Sequence, residues 1–136
     1  MKLIELANTT WSGVAELWLD PLGNEVSNSD CTLQLEDGQL HYTWSHEGKP
    51  HRGSLSWNAA SASFVDTFHS PEPMECRLLP DTWGLLQVEG RYGADDEWGW
   101  RISLCHRTPM AQLVLQMTNI APWGEESRAV RMVCDR

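Results

Sequence analysis

The feature that most restricts the fold of this 136-residue chain is a series of nine short runs in which apolar and polar residues alternate. Alternation with a period of two places successive side chains on opposite faces of a β-strand. Short groups rich in Gly, Pro, Asn and Asp separate the runs, and Asp37-Gly38 among them is a strong signal for a two-residue hairpin turn. The pattern therefore predicts antiparallel strands joined in chain order, with little helix.

The nine runs occupy most of the chain after a short lead-in, for which a helical turn is predicted. They lie at residues 10–19, 31–36, 40–46, 52–58, 63–69, 83–92, 98–104, 113–120 and 127–134. Residues 25–30 are polar and are interpreted as a loop. Ser70-Pro71-Glu72-Pro73 is interpreted as a strand end, because proline cannot donate to a β-ladder. Met74 to Leu79 is a short apolar segment after it.

These runs predict one all-β domain spanning residues 1–136, built as a single antiparallel up-and-down barrel of about 8–10 strands. A chain of this length is typical of one domain. Closing the sheet removes its two unpaired edges, which favours a barrel over an open sheet. A β-sandwich, or a flat sheet with one helix, is the alternative architecture.

Composition and charge narrow the classes of function. The formal net charge of −9 repels phosphate backbones and anionic membrane surfaces, so neither nucleic acid nor membrane is expected as a partner. No apolar run has the length of a membrane span, and the N-terminal residues lack the pattern of a signal peptide. The four cysteines are far apart in sequence, which is typical of buried free thiols in a reducing compartment. We therefore expect a cytoplasmic protein.

The first strand begins with Thr10-Trp11-Ser12-Gly13. A Trp-x-Gly pattern at this place, in a chain of this length, resembles the calycin group: lipocalins, fatty-acid-binding proteins and small bacterial lipocalin-like domains of unknown function. The resemblance implies that Trp11 lies at the closed end of a barrel, under an arginine from the last strand. Arg128 is preferred over Arg131 for that role, because it shares a strand face with apolar residues. Gly13 is expected to let another chain segment approach closely.

The run at residues 63–69 holds the most suggestive ionisable groups, Asp66 and His69. Burying both Phe64 and Phe68 would turn Asp66 inward as well, because all three share one face of the strand. We therefore expect an interior ligand cavity with Asp66 as its polar anchor. Its expected lining consists of large apolar residues: Trp44, Trp57, Phe64, Phe68, Trp100 and Leu115. The eight Trp residues are interpreted as filling the core and the rims of a small barrel, with stacking of one or two of them on a ligand as the alternative.

Three functional hypotheses follow. The first is reversible binding of a small, partly apolar molecule inside the barrel. The second is an enzyme that uses Asp66 or His69 as acid or base in the same cavity. The third is a filled barrel that acts through its surface. No metal site is expected, since no histidine pair has zinc-ligand spacing. No cofactor is expected either, with haem as an alternative through His69 or His106, Met74 being near in sequence.

Overall fold

The computed structural model describes residues 2–80 and 82–136, so the interpretation of Met1 and Asp81 falls outside the described residues. The chain forms one closed barrel of ten antiparallel strands. They are β1 (Thr9–Trp18), β2 (Val26–Glu36), β3 (Gln39–His46), β4 (Lys49–Trp57), β5 (Ala62–Asp66), β6 (Ser70–Leu78), β7 (Leu86–Tyr92), β8 (Trp98–Arg107), β9 (Gln112–Ile120) and β10 (Glu126–Asp135).

Each strand pairs with the next along the chain, and β1 pairs with β10 to close the barrel. The predicted all-β up-and-down barrel is confirmed. Helical geometry in the described residues is confined to three short 3₁₀ turns, at Leu3–Leu6, Ala94–Asp96 and Thr108–Met110. Within the same residues no helix has both the length and the apolar character needed to cross a membrane.

Several strand boundaries differ from the sequence prediction; β5, for example, ends at Asp66 and not at residue 69, and β7 begins at Leu86 and not at residue 83. Residues 26–30 extend β2 instead of forming a loop, because they pair with β1 from Val14 to Trp18. Residues 70–73 begin β6 instead of ending a strand. Pro71 and Pro73 are tolerated there because β6 pairs with β7 only from Cys76 onward, so the N–H that each lacks is not needed on that side.

The antiparallel meander gives the barrel two distinct ends. The mouth is the end that carries the connections at residues 19–25, 47–48, 67–69, 93–97 and 121–125. The closed end lies opposite, where the Leu3–Leu6 turn precedes β1 and buries Leu6. Every strand thus contributes one terminus to the mouth, and the side chains that gather there come from distant parts of the sequence.

Trp11 lies buried near the closed-end terminus of β1. Its side chain is only 2% exposed, and its Nε1 donates to Thr9 Oγ1 at 2.9 Å. The predicted arginine was wrong. The antiparallel register sets Ser12 opposite Asp135, so Arg136 lies over the Trp11 ring at 5.9 Å from its centroid. Arg128 belongs to the opposite end of β10, at the mouth, where its guanidinium lies 5.2 Å from the Trp18 ring.

Side chains fill the middle of the barrel. The largest fully buried ones are Trp11, Leu33, Leu35, Leu40, Leu55, Phe64, Ile102, Leu104, Leu113, Leu115, Met117 and Met132. Phe64 and Leu115 have 0% exposure, so no space of the size of a water molecule adjoins either side chain. This dense packing leaves no room for an interior ligand beside these two side chains.

Two glycines on inward-facing strand positions let the interior pack this closely. At Gly13 an added Cβ would overlap the Val133 carbonyl oxygen of β10, which confirms the close approach expected there. Cys31 and Cys134 both pair with Gly13, one from each neighbouring strand, and their Sγ atoms meet at 3.4 Å. Gly53 similarly separates Tyr42 from Asp66. A glycine in the central strand therefore lets side chains of two non-adjacent strands touch.

Candidate functional site

Asp66 ends β5 and holds the turn into β6. It is 1% exposed, as the predicted register requires, and four donors reach its carboxylate. Oδ1 accepts from the backbone N–H groups of Phe68 at 2.7 Å and His69 at 2.8 Å. Oδ2 accepts from the Tyr42 hydroxyl at 2.5 Å and from Trp44 Nε1 at 3.3 Å. A buried carboxylate needs such donors. Because both oxygens already accept hydrogen bonds, Asp66 stabilises the turn into β6 and the side chains packed around it.

Tyr42 reaches this carboxylate from β3 by crossing Gly53 of β4. An added Cβ at Gly53 would overlap the Tyr42 ring and hydroxyl, so only glycine leaves this path open. Burial, together with the negative charge of Asp66, raises the pKa of Tyr42 well above its usual value. Tyr42 therefore stays protonated over the whole physiological range and acts as a permanent hydrogen-bond donor.

The turn that Asp66 holds also brings His69 inward. The His69 imidazole stacks on Trp44 with 5.7 Å between ring centroids and lies against Trp100 at 5.0 Å. Phe68 packs edge-on to it at 4.9 Å. Burial lowers the pKa of His69 from 6.5 to about 4; the nearby His51 adds to this decrease, while Asp66 opposes it. His69 is therefore a neutral imidazole at pH 7.

Two polar nitrogens in this cluster lack a partner. His69 Nε2 and Trp100 Nε1 are both buried, and neither forms a hydrogen bond with any residue that the structure describes. Buried polar groups are nearly always paired with protein or with a bound molecule, and leaving one unpaired costs about 1–3 kcal/mol. Such a pair of atoms is a typical sign of a position that water or a ligand occupies.

These two side chains face a pocket of about 250 Å³ at the mouth, which we call the mouth pocket. Trp18, Phe68 and Tyr92 contribute apolar wall, and Arg128 contributes a cation. The Tyr92 hydroxyl donates to Asn119 Oδ1, which orients both side chains at one side of the opening. The pocket thus combines aromatic surface with a few converging polar groups, the usual composition of a small-molecule site.

The structure brings together part of the predicted site. Trp44, Phe64, Asp66 and Trp100 are buried in one aromatic cluster near the mouth, in which Phe64 stacks on Trp100 at 6.4 Å. Phe68 joins them from the rim, where it is 40% exposed because β5 ends before it. Two further predicted lining residues lie elsewhere: Trp57 ends β4 at the closed end, and Leu115 is packed in the middle of β9.

The two histidines considered for haem lie at opposite ends of the barrel. His69 faces the mouth, whereas His106 packs edge-on against Trp11 at the closed end, with 5.9 Å between ring centroids. Among the described residues there is also no group of three or more His, Cys, Asp or Glu arranged to hold a metal ion.

Sequence reasoning missed Trp18, Tyr92 and Asn119 as residues of the pocket and assigned Arg128 to the other end. All four lie at or near strand termini, where alternation no longer tells which way a side chain turns. For Arg128, a β-bulge between Arg128 and Val130 also breaks the alternation of β10, and Arg128 pairs with Thr118 of β9. A usable signal was its position near the mouth terminus of β10. Antiparallel pairing alone would have placed it far from Trp11.

Comparisons with known proteins do not assign the chain to a family. No protein-family model matches the chain, and no curated protein matches it. The function must therefore be argued from the mouth pocket itself.

Proposed function

We propose that this protein reversibly binds a small, partly apolar molecule at the mouth of its barrel. The observation that carries the proposal is the pair of buried, unpartnered nitrogens, His69 Nε2 and Trp100 Nε1, beside an open aromatic pocket. Exposed apolar side chains near the opening, Leu19 and Phe68, extend the apolar surface that such a ligand can contact.

Binding is favoured over catalysis because the two candidate acid–base groups are poorly placed for proton transfer. Both oxygens of Asp66 are engaged by four donors. A His69 pKa of about 4 lies far from neutral pH, where an efficient general base has a pKa close to 7. An enzyme remains the alternative proposal, with His69 as its acid–base group, because both oxygens of Asp66 are engaged.

The wider relationship and location are proposals too. A closed ten-strand meander with Trp11 at its closed end is compatible with the calycin architecture, and we propose kinship with that group. The four cysteines lie as free thiols, in keeping with a proposed location in the reducing cytoplasm.

Native mass spectrometry of freshly purified protein tests the binding proposal. We expect a retained small molecule, or binding of members of a fragment mixture. Trp100→Phe removes Nε1 while keeping an aromatic ring, and should weaken retention. Trp57→Phe makes the same change at the closed end and should leave it intact. A wild-type protein that retains nothing and binds no fragment would refute the proposal.

A further inference from the structure

We infer that the occupant of the mouth pocket is a small aromatic carboxylic acid, held through its carboxylate by Arg128 and Trp100 and through its ring by the aromatic wall. This inference rests on the proposed function, which assigns binding to the pocket and leaves the charge of the ligand open.

The polar groups around the pocket are mainly donors without acceptors. Trp100 Nε1 can only donate, belongs to a side chain that is 6% exposed, and has no acceptor among the described residues. The Arg128 guanidinium can also only donate, and it forms no ion pair within the described part of the chain. An occupant rich in acceptor oxygens would satisfy both.

Two residues of the pocket lining, Asn119 and Asp20, have acceptor oxygens that already accept hydrogen bonds. Asn119 Oδ1 accepts from the Tyr92 hydroxyl. The two carboxylate oxygens of Asp20 accept from the backbone N–H groups of Leu22 at 2.9 Å and Glu25 at 2.6 Å. Neither of these residues accepts a hydrogen bond from Trp100 Nε1 or from Arg128. A carboxylate matches the planar guanidinium fork, with which it forms short, charge-assisted hydrogen bonds.

Arg128 is held in place before any ligand arrives. Its guanidinium lies over the Trp18 ring at 5.2 Å, and Trp18 is fixed in turn by a hydrogen bond from its Nε1 to Glu16 at 3.1 Å. A cation stacked on an aromatic face loses less freedom on binding than a free side chain. Arg128 is also one of the residues that line the pocket.

The volume of the pocket and the side chains in its wall indicate the size and the aromatic character of the ligand apart from its carboxylate. A volume of about 250 Å³ lies just below the range of about 300–1,000 Å³ that is usual for drug-sized ligands, so one or two rings is the natural size. A planar ring can stack or pack edge-on against Phe68, Tyr92 and Trp100. A long acyl chain has no path inward, because Phe64 and Leu115 below are fully buried.

The overall charge of −9 and the Asp20 carboxylate in the pocket wall both oppose the approach of an anion, so recognition must come from Arg128 and Trp100. Measurements at about 0.15 M salt reduce the long-range repulsion, because the screening length is then about 8 Å.

The probes are benzoate, its neutral isostere benzamide, and decanoate, each titrated into protein with ¹⁵N-labelled tryptophan. We expect benzoate to move the indole N–H signal of Trp100, which the Trp100→Phe variant identifies. Benzoate should bind at least about tenfold more tightly than benzamide, the difference expected for a charge-assisted pair. Arg128→Gln should remove that preference. Arg52→Gln, an identical charge change at an exposed position on β4, should keep it.

Equal binding of benzoate and benzamide, or a preference that survives Arg128→Gln, would overturn the carboxylate inference and leave binding at the mouth in place. Tighter binding of decanoate than of benzoate would overturn the inference that the ligand carries an aromatic ring. If no probe moves the Trp100 signal, the inference fails. Native mass spectrometry of the purified protein then decides the proposed function separately, through the presence or absence of another retained molecule.

Discussion

The pKa of His69 makes a specific prediction about acid stability. In the folded protein burial lowers that pKa from 6.5 to about 4. In the unfolded chain the imidazole takes up a proton as the pH falls through 6.5, whereas in the folded barrel it does not. The stabilisation contributed by a neutral His69 is therefore complete above pH 6.5 and is lost progressively as the pH falls towards 4.

The size of this effect follows from the two pKa values. Linkage gives a loss of about 2 kcal/mol between pH 8 and pH 5, and a limit of about 3 kcal/mol at lower pH. The loss is a sizeable part of the about 5–15 kcal/mol by which a domain of this size is usually stable.

Urea denaturation at pH 8, 7, 6 and 5, followed by circular dichroism, measures the effect in the wild type and in His69→Gln. Other groups titrate in both proteins, so the difference between their pH dependences isolates His69. The wild type should lose about 2 kcal/mol more than the variant by pH 5. His41→Gln, at an exposed position on β3, should behave like the wild type. A His69→Gln variant with the full pH dependence of the wild type would refute the argument.

Three further predictions concern the packing of the barrel. Tyr42→Phe removes one of the four donors to Asp66 and should lower the free energy of unfolding by about 2 kcal/mol, measured by urea denaturation. Gly13→Ala places a Cβ against the backbone of β10 and should cost about 3 kcal/mol or more. Thermal unfolding of Gly48→Ala is the comparison: nothing lies within 4 Å there, so it should lose only the about 1–2 kcal/mol that its positive φ of 77° costs, and equal losses would contradict the close approach at Gly13. Cys105, the one cysteine that is not fully buried, should react first with a thiol reagent; fast reaction of Cys31, whose pKa is raised by its hydrogen bond with Cys134 and by burial, would contradict the packing.

The barrel was predictable because its evidence is distributed over the whole chain. Each run of alternation reports one strand, and short turn signals between the runs leave antiparallel pairing of neighbours as the simplest arrangement. The inward face of β5 was predictable for the same reason, and Phe64 and Asp66 are both buried. Boundaries were less predictable where pairing overrides composition, as in the polar start of β2 and the proline-containing start of β6.

The site was harder to predict because it is built from strand termini and a turn. Alternation treated Asp66 and His69 as alternatives on opposite faces. The chain turns immediately after Asp66, however, and both side chains face the interior. The role of Asp66 depends on three-dimensional pairing across Gly53, which local sequence does not express. Similarly, the inward periodicity of Trp57 and Leu115 was visible, but their distances from the mouth were not.

Gly13 also selects how the barrel closes. Sliding β10 by two residues along β1 would keep the inward face of each strand inward, so hydrophobic patterning alone does not distinguish the two registers. Such a slip would bring Trp11 or Ala15 to the place where the Val133 carbonyl now lies over Gly13. Either residue carries a Cβ, which that backbone contact leaves no room for. The absence of a side chain at Gly13 thus favours the observed alignment of β1 with β10 over the slipped ones. The register of barrel closure is set by steric fit as well as by hydrophobic burial.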